Sequence, residues 1–224
     1  MHVAQNRSGS APTRHKGARA RGADRGAGAP GADHVRRLMF EAARRAEAMG
    51  LVEPASVTSA DASAVRLLAS RIRRAGIASA AADQLHNVDA PSAAEVAGLL
   101  ETLIAALEAS PVPKFEWSGL GRVFAPDDLA ALINVSVSSL KRYQSGDRDT
   151  PDDVAARLHF LALVVSDLAG SYNDIGMRRW FHRKRTLLDG RAPVALLKGN
   201  WDPDDEGPMR VRQLARELVS LSAT

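Results

Sequence analysis

Apolar residues recur at intervals of three and four positions along most of this 224-residue chain, and no other feature of the sequence limits its fold so strongly. Such spacing places apolar side chains on one face of an α-helix. The segments that carry it end at glycine or proline, which stop helices. We therefore predict an all-α protein: a helix-turn-helix core, a small helical C-terminal domain, and an N-terminal helical extension preceded by a disordered tail.

Helix signals fill most of residues 34–110. A first helix ends at Gly50, and a second runs from about Ala60 to Ala75, whereas residues 77–91 leave room for one short helix. The pattern Ser92-Ala-Ala-Glu95 is a capping box, which predicts the start of a third helix. Residues 111–121, PVPKFEWSGLG, are rich in proline and glycine, so we predict a connector and a subdomain boundary near residues 110–120.

The first 33 residues contain hardly any large apolar side chains, and such a segment cannot offset the entropy of ordering its chain. They hold six Lys or Arg and two Asp, a net charge of +4, which leaves 24 basic and 24 acidic residues in the remainder. The high calculated pI therefore describes the tail alone. An Arg-rich arm suits a phosphate backbone, and the alternative is a solubilising segment or a misassigned start.

Several classes of protein are disfavoured. The chain has no cysteine, which excludes disulfides and thiolate metal sites, and it has neither a membrane span nor a signal-peptide core, so we expect a cytoplasmic protein. The six histidines show no metal-ligand spacing, and His159 is expected to be a satisfied core or edge residue. No nucleophile elbow, phosphate loop or calcium loop is present, so we expect no catalytic residues, no metal, no cofactor and no enzyme activity.

The most informative segment is residues 126–151, PDDLAALINVSVSSLKRYQSGDRDTP. Pro126 fits the first turn of a helix, Asn134 tolerates the left-handed conformation of a tight turn, and Ser136 can cap a second helix. The pattern predicts a helix-turn-helix between Pro126 and Ser145. An ordinary helical hairpin is the alternative.

The second helix of this unit turns only Leu140 and Tyr143 inward. Short hydroxyls followed by basic and amide side chains suit contacts to phosphates and base edges in a major groove. The predicted DNA-binding residues are Ser136, Ser138, Ser139, Lys141, Arg142, Gln144 and Arg148. Such units also serve as protein contacts, and neighbouring aspartates cancel the local charge, so a scaffold that does not bind DNA stays an alternative.

A long helix is predicted after this unit, with Thr150 as its cap and Pro151 in its first turn. Its apolar residues cover more than one face, so it is either buried on two sides or paired with a copy of itself. A homodimer would match the two half-sites that a helix-turn-helix commonly reads on operator DNA.

The C-terminal third contains the pattern W-x6-L-x2-G-R-x-P-x2-LL from Trp180 to Leu197, followed by an acidic loop at residues 200–208 and a final helix at residues 209–221. Together with the upstream helix-turn-helix, residues 122–222 resemble the Xre/MbcA/ParS-type antitoxins. The resemblance implies that the C-terminal domain covers the active-site entrance of a RES-domain toxin and that the complex represses its own operon. It also implies a toxin-binding domain built from Trp180, Leu187, Gly190, Arg191, Pro193 and Leu197, most of them as scaffold.

The chain also departs from that family. Its helical segment before residue 113 has no counterpart there and is interpreted as a docking or dimerisation module. The basic run Arg178, Arg179, Arg183, Lys184 and Arg185 fits a solvated helix face, a phosphate contact or an acidic partner. A stand-alone transcriptional regulator without a toxin is therefore a second hypothesis. The predicted divisions are residues 1–33, 34–112, 120–172 and 173–224.

Overall fold

A computed structural model describes residues 30–87 and 91–222 of the chain, and every regular element in these ranges is helical. The fold class predicted from the sequence, all-α, is therefore confirmed. The helices are α1 (Pro30–Ala48), α2 (Ala62–Arg74), α3 (Ser79–Asn87), α4 (Ala93–Ala109), α5 (Pro113–Val123), α6 (Pro126–Leu132), α7 (Val137–Ser145), α8 (Asp152–Leu168), α9 (Asp174–His182), a 3₁₀ turn (Thr186–Leu188), α10 (Pro193–Leu196) and α11 (Glu206–Ser222).

Helix α8 is the centre of the fold. Fourteen of its 17 residues are buried, because α1, α5 and α11 pack around it. An apolar surface that extends around a helix predicts burial on more than one side, and this is what α8 shows. The helix thereby supports both the α6–α7 pair before it and the C-terminal elements after it.

The N-terminal helices form a second layer on this core. Helix α1 packs mainly against α4, and α2 packs against α3, while the remaining face of α1 contacts α8 and α5. The capping box of α4 is present as predicted: the Ser92 side chain accepts from the Glu95 backbone N–H, and the Glu95 carboxylate accepts from the Ser92 backbone N–H.

Two helices begin earlier in the chain than the sequence predicts. Helix α1 begins at Pro30, so residues 30–33 are helical and not part of a tail; Pro30 suits the first helical position, and Asp33 in the first turn lies 3.2 Å from Arg36. Residues 1–29 of the predicted tail lie outside the described residues. Helix α11 begins at Glu206, inside the segment predicted as an acidic loop, because an acidic residue favours the positive end of a helix.

The predicted connector at residues 111–121 is wrong, because Pro113–Val123 forms helix α5. Pro113 occupies the first turn, and the side chains at helical spacing on one face are buried: Glu116, Trp117, Leu120 and Val123. Helix α5 contacts α6, α7, α8 and α9, so the segment interpreted as a linker packs between the helix-turn pair and the C-terminal elements.

Candidate nucleic-acid and protein interfaces

Helices α6 and α7 are joined by a tight turn whose geometry follows from its residues. Asn134 has φ = 57°, the left-handed conformation that asparagine tolerates, and the Val135 N–H donates to the Ala130 carbonyl over 2.9 Å. The Ser136 Oγ accepts from the Ser139 N–H over 3.1 Å and so caps α7. Gly146, with φ = 78°, ends the helix. The helix bounds and the turn predicted from the sequence are confirmed.

Arg157 and Trp201 hold this turn in place from behind. The Arg157 guanidinium, on α8, donates to the Ile133 carbonyl over 3.0 Å and to the Trp201 carbonyl over 2.9 Å. The indole Nε1 of Trp201 donates to the Leu132 carbonyl over 2.8 Å. The Leu132 and Ile133 carbonyls lie at the C-terminal end of α6 and have no partner within the helix. The buried cation therefore also lies at the negative end of the helix dipole.

Neither residue was predicted from the sequence to support the turn. A signal was available for Arg157, because an arginine in an otherwise apolar buried helix must be paired. Its ion-pair partner Asp153, at 2.8 Å, is four positions away on the same helix, but the Ile133 and Trp201 carbonyls lie 24 and 44 positions away and have no local signal.

The outer face of α7 carries the residues predicted to bind DNA. Leu140 and Tyr143 are buried beneath this face, and Ser139 is half-buried. The other predicted residues, on α7 or beside its ends, are exposed: Ser136, Ser138, Lys141, Arg142, Gln144 and Arg148. Helix α7 contains no acidic residue. The face thus presents hydroxyls at the positive end of the helix and two cations farther along it, an arrangement that complements a phosphate backbone.

Arg148 is positioned by a stack of aromatic rings. Its guanidinium lies 5.5 Å from the centre of the Tyr143 ring, which stacks on Trp117 at 5.9 Å. The Trp117 indole donates to the Thr150 hydroxyl over 3.0 Å. Thr150 therefore binds Trp117 instead of capping α8 as predicted, and Pro151 occupies the cap position. The consequence is a fixed loop that keeps Arg148 beside α7.

The residues assigned to toxin binding divide into two groups. Trp180, Pro193 and Leu197 are buried, so they can influence a partner only through the shape of the domain. Leu187 is 64% exposed, and Gly190 and Arg191 are exposed beside it. The structure thus brings three of the six to one exposed turn.

Arg210 on α11 holds that turn in shape. Its guanidinium donates to the Asp189 carboxylate over 2.8 Å and to the Leu187 carbonyl over 2.9 Å. The hydrogen bond from Arg210 holds the pKa of Asp189 below its usual value. Asp189 and Gly190 both have positive φ, 55° and 74°, which turns the chain sharply and leaves Leu187 at the tip.

A buried polar pair joins α5 to α8 behind these surfaces. The His159 Nδ1 lies 2.6 Å from the Glu116 carboxylate, and its Nε2 lies 3.0 Å from the Glu108 carbonyl. The sequence-based interpretation of His159 as a satisfied core residue is confirmed, whereas the burial of Glu116 was missed. Burial raises the pKa of Glu116. Burial alone would lower the pKa of His159, but the Glu116 carboxylate raises it above its usual value.

The described ranges contain neither a metal-binding cluster nor a single membrane-spanning helix. Residues 30–87 and 91–222 hold no group of three or more His, Asp or Glu arranged to bind a metal ion. No single helix in them is long and apolar enough to cross a membrane; α4 and α5 meet the length and composition criteria only as a pair bent by 87°.

Comparison with known proteins gives one informative similarity. The chain is 41% identical over 71 residues to a probable mycobacterial cidal antitoxin of Mycobacterium tuberculosis, a match that covers 31% of this chain and 59% of the relative. The chain therefore spans less than two thirds of that relative's length. No protein-family model matches the chain. No solved structure matches it significantly.

Proposed function

We propose that this chain is the DNA-binding antitoxin of a type II toxin–antitoxin pair that acts in the cytoplasm. The observation that carries the proposal is the 41% identity over 71 residues to a protein named as an antitoxin. The pattern from Trp180 to Leu197, which resembles Xre/MbcA/ParS-type antitoxins, supports the same role. The proposed partners are a RES-domain toxin, bound through the C-terminal elements, and the operator of its own operon, bound as a homodimer.

The proposal is tested by co-expression with a neighbouring reading frame for a RES-domain protein. We expect that protein to arrest growth when expressed alone and growth to be restored when this chain is co-expressed. Purification through a tag on this chain should then recover both proteins in one complex. Growth arrest that persists despite equal expression of this chain would contradict the antitoxin role.

The exposed tip of the 3₁₀ turn provides a specific test of toxin binding. We expect Leu187→Asp to weaken toxin binding at least tenfold and to abolish the rescue of growth, because a carboxylate would replace the apolar side chain at the proposed interface. The variant should fold normally, since Leu187 is 64% exposed and surface substitutions usually change stability by no more than about 0.5 kcal/mol.

Ile175→Asp is the matched control, because Ile175 is also a large, exposed apolar residue, at 53%, but lies at the start of α9 and outside the toxin-binding set. Pull-down and calorimetry should show unchanged toxin binding for this control. Toxin binding by Leu187→Asp that is as tight as that of the control would exclude the Leu187 turn from the interface.

The exposed, acid-free face of α7 supports the operator-binding part of the proposal. We expect Lys141→Ala/Arg142→Ala to weaken binding to a duplex from the region upstream of the gene. Each lost phosphate contact makes the plot of log K against log salt shallower by about 0.9, so the double variant should lose about 1.8. Fluorescence anisotropy at several salt concentrations measures both quantities.

Arg66→Ala/Arg71→Ala is the control for this experiment, because it removes the same charge from exposed positions on α2. Its binding should stay close to that of the wild type. Binding by the Lys141/Arg142 variant with the wild-type salt dependence would place the DNA contact elsewhere.

A stand-alone helix-turn-helix regulator is the second candidate function. It is favoured by the helices α1–α4, which extend beyond the region that resembles the antitoxins. We keep residues 34–112 as a proposed docking or dimerisation module, 120–172 as the helix-turn-helix domain and 173–224 as the toxin-binding domain. This candidate requires operator binding without any toxin partner, which the co-expression experiment distinguishes.

A further inference from the structure

The basic run at the end of α9 is only partly used by the fold. Arg178 donates to the Val123 carbonyl at the C-terminal end of α5 over 2.8 Å, and the Arg185 guanidinium lies 5.4 Å from the centre of the Trp180 ring. Arg179, Arg183 and Lys184 are exposed, and none of them forms an ion pair with a residue of the described ranges. Three cations are therefore left facing solvent.

This surface differs from those parts of the molecule where arginines pair with carboxylates. Arg73, Arg210 and Arg212 each pair with a carboxylate, at 2.9, 2.8 and 2.9 Å. Residues 175–188, in contrast, contain five Lys or Arg and no Asp or Glu. A helix face that serves only solubility normally mixes both signs of charge. Helix α2 also carries arginines and no acidic residue, so what distinguishes α9 is its packing against α5.

Helix α5 places this basic segment at the same end of the molecule as α7. In the last turn of α5, a Cβ on Gly121 would lie 3.7 Å from the Gln144 amide nitrogen of α7. Two residues later, Val123 accepts the bond from Arg178, and Phe124 meets Phe181 edge-on at 5.1 Å. The C-terminal end of α5 thus lies against both α7 and α9.

We infer that Arg179, Arg183 and Lys184 form a second contact with the phosphate backbone of duplex DNA, beside the contact made by α7. Arg179 lies in the last turn of α9, and Arg183 and Lys184 follow directly at and after its C-cap, so the three cations lie together at this helix end. Exposed, unpaired cations bind phosphates regardless of sequence and release counterions. The inference rests on the proposed operator binding and adds affinity and orientation to it, without base specificity.

The test uses the full chain and two duplexes, one from the region upstream of its gene and one of unrelated sequence. Arg179→Ala/Arg183→Ala/Lys184→Ala should bind both duplexes about tenfold more weakly or worse. Its salt dependence should be shallower by about 2.7, and the ratio of the two affinities should stay unchanged. Circular dichroism and thermal unfolding should match the wild type, because the three side chains are exposed.

Arg66→Ala/Arg71→Ala/Arg74→Ala is the matched control, since it removes the same charge from exposed positions on α2. An equal loss of binding in this control would overturn the inference, because the effect would then reflect net charge. Wild-type binding by the α9 variant, with weakened binding by Lys141→Ala/Arg142→Ala, would overturn the second contact and leave operator binding intact. Failure of the wild type to bind either duplex would overturn both, and a loss confined to toxin binding would assign the cations to an acidic protein surface instead.

Discussion

Replacing Glu116 with leucine is expected to lower the free energy of unfolding by about 3–5 kcal/mol, the usual cost of removing one partner from a buried ion pair. Glu116 is fully buried and His159 is 6% exposed, so water cannot replace the lost carboxylate. Urea denaturation at pH 7 measures the change, with the denaturant dependence checked for a constant slope.

The cost follows from the two acceptors around the imidazole ring. Nε2 faces the Glu108 carbonyl, which can only accept a hydrogen bond, so this nitrogen carries a proton. Nδ1 faces the Glu116 carboxylate, which favours a second proton on the ring. Leucine would leave either a buried imidazolium without its counter-ion or a neutral ring with an unpaired Nδ1.

Glu116→Gln is the matched control, because the amide can donate to Nδ1 of a neutral His159 whose proton sits on Nε2. The hydrogen bond to the imidazole is then kept, and the loss should stay below about 1.5 kcal/mol. A leucine variant as stable as the glutamine variant would contradict the importance of the pair.

The same pair predicts a pH dependence. The pKa of His159 is raised in the folded protein, so its stabilisation is complete below the unfolded value of about 6.5 and is lost as the pH rises through the folded pKa. The raised pKa of Glu116 acts in the same direction. The unfolding free energy of the wild type should therefore fall as the pH rises above about 6.5, and Glu116→Gln should flatten this decline. A decline of equal slope in both proteins would assign it to other groups.

The parts of the fold that the sequence predicted correctly depend on residues close together in the chain. Asn134 in the turn, Ser136 as a cap and the Ser92–Glu95 box each act over about three or four positions, so their geometry is encoded locally. The exposure of Lys141 and Arg142 follows from the same helix periodicity, because Leu140 and Tyr143 must face the core.

The supports of the candidate site could not be predicted in this way. The Arg157 bond to the Ile133 carbonyl, the Trp201 bond to the Leu132 carbonyl and the bond between His159 and Glu116 join residues 24, 69 and 43 positions apart. Each depends on how α5, α8 and the loop before α11 pack together. A local pattern identifies a polar residue but not the group that it meets.

The misread connector at residues 111–121 shows a second reason. Two glycines in one short segment favour a loop when only local propensity is considered. In the fold they belong to α5, and Gly119 lies where that helix crosses the end of α1. A Cβ on Gly119 would lie 2.2 Å from the Ala48 carbonyl oxygen and 2.7 Å from the Gly50 nitrogen. This glycine therefore allows two backbones to touch, which its sequence neighbours do not reveal.

Gly119→Ala is accordingly expected to lower the free energy of unfolding by about 3 kcal/mol or more, which is the upper end of the usual cost of overpacking. The added methyl group would meet backbone atoms, so no flexible side chain can move aside, and α5 must shift away from α1. Gly121→Ala, in the same helix, is the control: its Cβ would meet only the Gln144 amide nitrogen, at 3.7 Å. Alanine is the better helix former by about 1 kcal/mol, so this variant should be more stable than the wild type. A lower urea midpoint for Gly119→Ala and a higher one for Gly121→Ala would locate the close contact at Gly119. Equal shifts in the two variants would contradict a close contact at Gly119.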